Sequence, residues 1–196
     1  MRAILARHGE SEFSVRGAMN GDVSVPCGLT PAGVAQARRL GELLEGEPID
    51  ICVTSEFERA QATAEEALRG RSVPRIVVPE LNDPRYGRYE GAQLDDYRSW
   101  ALGAASSDVP GPGGESRRML IDRYARAFRI LLARPEETVL VVAHSLPISY
   151  ALTSRDGIEP ARQAPVTAYA TPFLFSAEEL GRAAGVLERW LAAPSW

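Results

Sequence analysis

The sequence predicts an α/β fold, a three-layer α/β/α sandwich around a mostly parallel central sheet. Two observations carry this. Apolar runs rich in Val, Ile and Leu stand at 3–6 (AILA), 49–55 (IDICVTS), 75–78 (RIVV) and 138–144 (TVLVVAH). They lack clean polar alternation, as strands do when helices cover both faces of a sheet. Between and after them lie segments with helical spacing and readable ends, so strands alternate with helices.

The elements follow in chain order. After the strand at 3–6, Thr30 and Pro31 form a cap and a first-turn proline, and a helix runs through AGVAQARRLGELLEG. Val34, Ala37, Leu40, Leu43 and Leu44 make its apolar face. Ser55 and Glu58 have the S-x-x-E spacing of a capping box before FERAQATAEEAL. Ser116 starts RRMLIDRYARAFRILL, where Leu120, Tyr124, Ala127, Phe128 and Leu131 recur at helical intervals. A fourth helix begins after His144, and a fifth spans 176–191. Residues 79–91 resist assignment, and 106–115 (SSDVPGPGGE) are loop by composition.

With 196 residues and no repeat or linker, the chain suits one domain over 1–196, with a cap region at about 81–115. The formal charge of −4 offers no general attraction for nucleic acid or an anionic membrane. No stretch reaches membrane-spanning length, and the run in MRAILA is too short for a signal peptide. Two cysteines, Cys27 and Cys52, cannot make a disulfide framework. The expected location is the cytoplasm.

Ligands of open parallel sheets bind outside the carboxyl ends of the strands. Arg7 and His8 follow the first strand, Ser55 and Arg59 the second, and His144 ends the late one. Asp83 lies in the loop after the strand at 75–78. Each residue alone has a plain structural explanation: a solvated histidine, a surface arginine, a turn aspartate before Pro84. Placed together, two arginines and two histidines form a cationic pocket in an acidic protein, suited to a dianionic tetrahedral group such as phosphate.

These residues lie in motifs that resemble the histidine phosphatase superfamily, the branch of cofactor-dependent phosphoglycerate mutases and related phosphatases. LARHGES, GLTPAGVAQA (28–37), TSEFERAQATAEE (54–66), LNDPRYGRYEG (81–91), GGES (113–116) and VLVVAHSLPI (139–148) follow the family's order. The resemblance implies a phosphoglycerate mutase-like fold and a metal-independent phosphomonoester hydrolase with no cofactor. His8 would be the nucleophile that becomes phosphohistidine. Arg7, Arg59 and His144 would hold the phosphoryl oxygens, and Asp83 would be the acid and base.

The chain also departs from the family pattern. Asp83 stands where glutamate is usual, which leaves Glu80 and Glu90 as rivals. Ser14 stands where an asparagine often follows the signature. Asn20 falls near a phosphate-binding glutamine, and Ser145 replaces a glycine. Ser14 and Asn20 are therefore expected to bind substrate phosphate.

The stretch 92–113 is short, with Arg98 its only cation, which favours hydrolysis over mutase chemistry. Arg85 and Arg88 keep a mutase in view, since either could reach a substrate carboxylate. A phosphate-ester sensor without catalysis is a third reading. Tyr86, Tyr89, Tyr97 and Trp100 either line a substrate cleft or pack the cap. The expected partner is a small phosphorylated metabolite; no oligomeric state follows from the sequence.

Overall fold

Side chains alternate between the two faces of a strand, so a strand apolar throughout must be covered twice. β1 (Arg2–Arg7) meets this condition in a computed structural model that describes residues 1–196. Ala3 and Leu5 point into a core shared with α5 (Arg117–Leu132), α6 (Ser145–Arg155) and α7 (Ala177–Ala192). Ile4 and Ala6 face α2 (Pro31–Leu43) and α3 (Glu58–Ala67). The expected three layers are present.

The sheet runs β3-β2-β4-β1-β5, where β2 is Ile51–Thr54, β3 is Arg75–Val77, β4 is Thr138–Ala143 and β5 is Pro172–Ser176. The first four are parallel, and β5 pairs antiparallel with β1. The sequence pattern did not predict β5. Only its Phe175 is fully buried, and Pro172 stands at its start, where an edge strand tolerates a missing N–H. Two short helices, α1 (Glu12–Arg16) and α4 (Leu94–Gly103), also went unassigned.

Most predicted faces are buried. Leu120, Tyr124, Ala127, Phe128 and Leu131 of α5 are in the core, as are Leu180, Ala183, Val186, Leu187 and Trp190 of α7. α7 starts with a complete capping box between Ser176 and Glu179. Leu43 in α2 is a correction, being 49% exposed at the helix end.

The capping box expected at Ser55 is also absent. α3 is capped by Phe57 without a side-chain bond. The Ser55 hydroxyl lies instead 2.8 Å from His144 Nε2, and a Glu58 carboxylate oxygen accepts the Cys27 N–H at 3.0 Å. Long-range partners outcompeted the local ones.

Met19, Tyr86 and Tyr97 form a separate small core, flanked by Tyr89 and Trp100. The aromatics of the cap therefore do pack it together. No helix is long and apolar enough to cross a membrane.

Candidate active site

Parallel register brings the two histidines together. Arg7 of β1 pairs with Ala143 of β4, so His8 and His144 leave neighbouring strands at the same level. The His8 N–H donates to the Ala143 carbonyl at 2.9 Å. The two rings meet edge-on, with centroids 5.2 Å apart. Thr54 of β2 pairs with Val142 on the far side of β4, which sets Ser55 beside His144.

The His8 ring is held with one nitrogen free. Its Nδ1 lies 2.7 Å from the Gly9 carbonyl, so Nδ1–H donates there and the lone pair stays on Nε2. Gly9 is itself fixed: its N–H donates to Thr63 Oγ1 at 2.9 Å, and the Thr63 hydroxyl donates to the Arg59 carbonyl at 2.7 Å. A Cβ on Gly9 would lie 2.5 Å from the Gly33 carbonyl oxygen, so only glycine lets α2 approach this turn. Burial first, then the charges of Arg59 and Arg7, hold the His8 pKa well below its usual value. The ring stays neutral.

Arg59 stacks on Phe57 with its guanidinium 4.1 Å from the ring centre. One terminal nitrogen donates to Asn20 Oδ1 at 2.6 Å. The other donates to the Asn20 carbonyl at 3.1 Å and to Asp83 Oδ2 at 3.0 Å. Arg7 lies 3.9 Å over the Tyr169 ring and donates to the Thr167 carbonyl at 2.8 Å.

His144 is fully buried, and its Nδ1 stands 3.5 Å from Asp83 Oδ2 without a hydrogen bond. Burial, followed by the Arg59 charge, also holds its pKa well below the usual value. Three buried side-chain polar atoms in the protein lack a partner, and two are His144 Nδ1 and Arg7 Nε. Buried polar groups are normally satisfied, so this concentration at one place marks a ligand site.

The loop that carries Asp83 is held by an ion pair the sequence reading missed. Arg123 on α5 donates to the carbonyls of Glu80, Asn82 and Asp83 at 2.9, 2.7 and 3.3 Å. It also grips both carboxylate oxygens of Glu115 at 3.0 Å, and Glu115 accepts the Arg85 N–H at 3.0 Å. Burial raises the Asp83 pKa despite Arg59, Arg7 and Arg123, which oppose it. The carboxyl is thus pushed toward its protonated form before any anion arrives.

The rival carboxylates are otherwise placed. Glu90 accepts the N–H groups of Gly21 and Tyr86 at 2.8 and 2.7 Å. Glu80 does not line the cleft. Ser14 does line it, with its hydroxyl 2.8 Å from that of Ser11. Asn20 also lines it, but its carboxamide is engaged by Arg59 and by the Asp22 carbonyl, so it orients Arg59. Arg85 and Arg88, named above as possible carboxylate ligands, point elsewhere. Arg85 lies 3.8 Å from Glu115, Arg88 stacks on Tyr89, and neither lines the cleft.

The cleft encloses about 450 Å³. Arg7, His8, Arg59 and Asp83 line it together with Phe13, Leu94, Tyr97, Leu146 and Val166. Tyr86 and Tyr97 serve both the cap core and the cleft. The 162–169 wall was not foreseen, because its sequence, RQAPVTAY, carries no regular pattern.

A family model described as the histidine phosphatase superfamily (branch 1) matches residues 3–171. An adenosylcobalamin/alpha-ribazole phosphatase of Salmonella typhimurium is 44% identical over 153 residues, 74% of this chain and 74% of that protein. A 2,3-bisphosphoglycerate-dependent phosphoglycerate mutase of Methylobacterium sp. is 36% identical over 169 residues, 79% and 80% of the two chains. Among solved structures, the alpha-ribazole phosphatase from Shigella flexneri superposes with a TM-score of 0.68 at 30% identity, covering 81% of each chain. Bacillus stearothermophilus YhfR gives 0.75 at 26% identity, covering 88% of this chain and 89% of the other.

Proposed function

The chain belongs to the histidine phosphatase superfamily and is a phosphomonoester hydrolase; we propose that His8 is its nucleophile, with Asp83 as acid and base. The observation that carries this reading is the His8–His144 pair, with His8 Nε2 free beside Arg7 and Arg59. Phosphoryl transfer asks chiefly for positioning and charge stabilisation, and the site offers both.

In the first step His8 Nε2 attacks phosphorus in line. The P–N bond forms as the ester P–O bond breaks, and Asp83 gives its proton to the departing alkoxide. Arg7 and Arg59 hold the equatorial oxygens, and His144 Nδ1 donates to one of them. In the second step the Asp83 carboxylate takes a proton from water as its oxygen attacks phosphorus. The P–N bond breaks, phosphate leaves and His8 returns neutral.

Hydrolysis is favoured over a mutase because Arg85 and Arg88 are turned from the cleft. The substrate is a small phosphorylated metabolite. α-Ribazole 5′-phosphate is the first to try, by analogy with the Salmonella relative. We read residues 1–196 as one domain, and the two buried free cysteines suit a cytoplasmic protein.

The test is phosphate release from p-nitrophenyl phosphate and α-ribazole 5′-phosphate by wild type and His8→Ala. Turnover that vanishes in the variant supports the reading. Tight ester binding without turnover would make the protein a sensor, and isomerisation of a phosphoglycerate without phosphate release would make it a mutase.

A further inference from the structure

Five arginines line the cleft: Arg7, Arg59, Arg98, Arg117 and Arg162. Four have evident partners. Arg7 and Arg59 are described above, Arg98 lies 3.5 Å from Asp95, and Arg162 donates to the Leu102 and Ala104 carbonyls. Arg117 has one bond, a long contact of 3.4 Å to the Tyr150 hydroxyl. Its Nε and other terminal nitrogen bond nothing in the protein, and neither is sealed from solvent. The groups around it are the tyrosines 150, 97 and 124.

Its place in the fold argues against a structural role. Arg117 is the first residue of α5, and that first turn has no acidic residue. The positive end of a helix repels a cation, so stability would favour Asp or Glu here. Its neighbour Arg118 bridges to the Leu191 carbonyl at 3.3 Å, whereas Arg117 turns to the cleft. Arg7, Arg59 and Arg123 are the arginines whose charges act most on His8, Asp83 and His144, and Arg117 is not one of them.

We propose that Arg117 selects the leaving group by donating to an acceptor oxygen or nitrogen remote from the phosphoryl group. The preferred substrates are then phosphomonoesters whose alcohol carries such an acceptor, as a nucleoside or a hydroxy acid does, over purely hydrocarbon esters. A free guanidinium fork in a partly desolvated cleft penalises esters that leave it unpaired. The proposal rests on reading this cleft as the phosphatase site.

The experiment compares kcat/KM of wild type, Arg117→Met and Arg117→Lys on adenosine 5′-monophosphate, 3-phosphoglycerate and phenyl phosphate. The ratio of an acceptor-bearing ester to phenyl phosphate should fall about tenfold or more in Arg117→Met, and Lys should restore part of it. A fall for adenosine 5′-monophosphate identifies an uncharged acceptor, and a fall for 3-phosphoglycerate an anionic one; either supports the proposal. Both ratios within about twofold of wild type overturn it. A lowered Tm with unchanged ratios also overturns it, assigning Arg117 to the fold. If wild type hydrolyses no ester, the phosphatase reading falls. Calorimetric affinities of the same three compounds then decide Arg117, with selective weakening of the acceptor-bearing esters as the supporting result.

Discussion

Asp83 Oδ2 sits 3.0 Å from an Arg59 terminal nitrogen and 3.5 Å from His144 Nδ1. One carboxyl thus touches the arginine proposed to hold the phosphoryl group and the histidine behind it. An ion pair favours the carboxylate, yet burial prevails and raises the Asp83 pKa. The fold therefore biases the proposed acid toward holding its proton. A bound phosphate dianion would raise it further.

The pH dependence of turnover follows. The proposed mechanism requires neutral His8 and protonated Asp83. His8 stays neutral well below pH 6.5, while Asp83 keeps its proton above the ordinary 3.8. The free enzyme's kcat/KM should thus peak on the acid side and fall as pH rises through the Asp83 value. A profile from pH 4 to 9 checks this. A rise in activity from pH 6 to 8 would contradict it.

Asp83→Asn removes the proposed acid but leaves the proposed nucleophile. With an alkyl phosphate, kcat should drop by about 10²-fold or more, the usual size of a general-acid effect. With p-nitrophenyl phosphate, whose leaving group needs little protonation, the first step should suffer much less. Equal losses on both esters would remove Asp83 from the acid role.

Folding stability should carry the opposite signature from the histidines. Their folded pKa values lie below the unfolded value of about 6.5. As pH falls through that unfolded value, the unfolded chain binds protons that the folded protein refuses, so stability declines. Asp83 works the other way just above 3.8, where the unfolded carboxyl ionises and the folded one does not. The Tm of wild type should fall between pH 7.5 and 5.5, and that of His144→Gln should fall less. Parallel slopes would show that His144 is not refusing the proton.

The Arg123–Glu115 pair should matter to both stability and rate. Glu115 is 6% exposed, so Arg123→Met leaves a buried carboxylate with only the Arg85 N–H and the more distant Arg85 side chain, a change that costs about 3 kcal/mol. Glu115→Gln keeps the size and part of the hydrogen bonding. Its expected effect is a lower kcat with little change in KM, because the loop carrying Asp83 loosens. Chemical denaturation and steady-state kinetics on both variants check this pair of outcomes.

Thr63→Val tests the chain of bonds behind His8. It strands the buried Gly9 N–H, which costs about 1–3 kcal/mol of stability. The turn that holds His8 Nδ1 loses its anchor, so kcat should fall while phosphate affinity, measured by calorimetry, holds. Unchanged kcat would separate this network from catalysis.

The strands at 3–6, 49–55 and 138–144 were legible because double burial demands apolar residues along their length; the run at 75–78 was legible from its Ile and Val alone, since β3 is an exposed edge. The positions of His8 and His144 at strand ends, and of Arg59 at the start of the helix after β2, were legible because topology carries such residues to one rim. The edge strand β5 was not, because only one of its residues is fully buried and alternation had nothing to act on.

The layered α/β architecture and the meeting of two histidines and two arginines are written into the order of residues along the chain. Which partner each polar group took emerged on folding. Ser55 left its helix for His144, Asn20 turned to Arg59, Arg85 went to Glu115 and Arg117 was left facing the cleft. The difference is one of scale. Burial of whole strands is a large, local and cumulative signal, whereas each polar choice turns on about 1 kcal/mol between partners far apart in the chain.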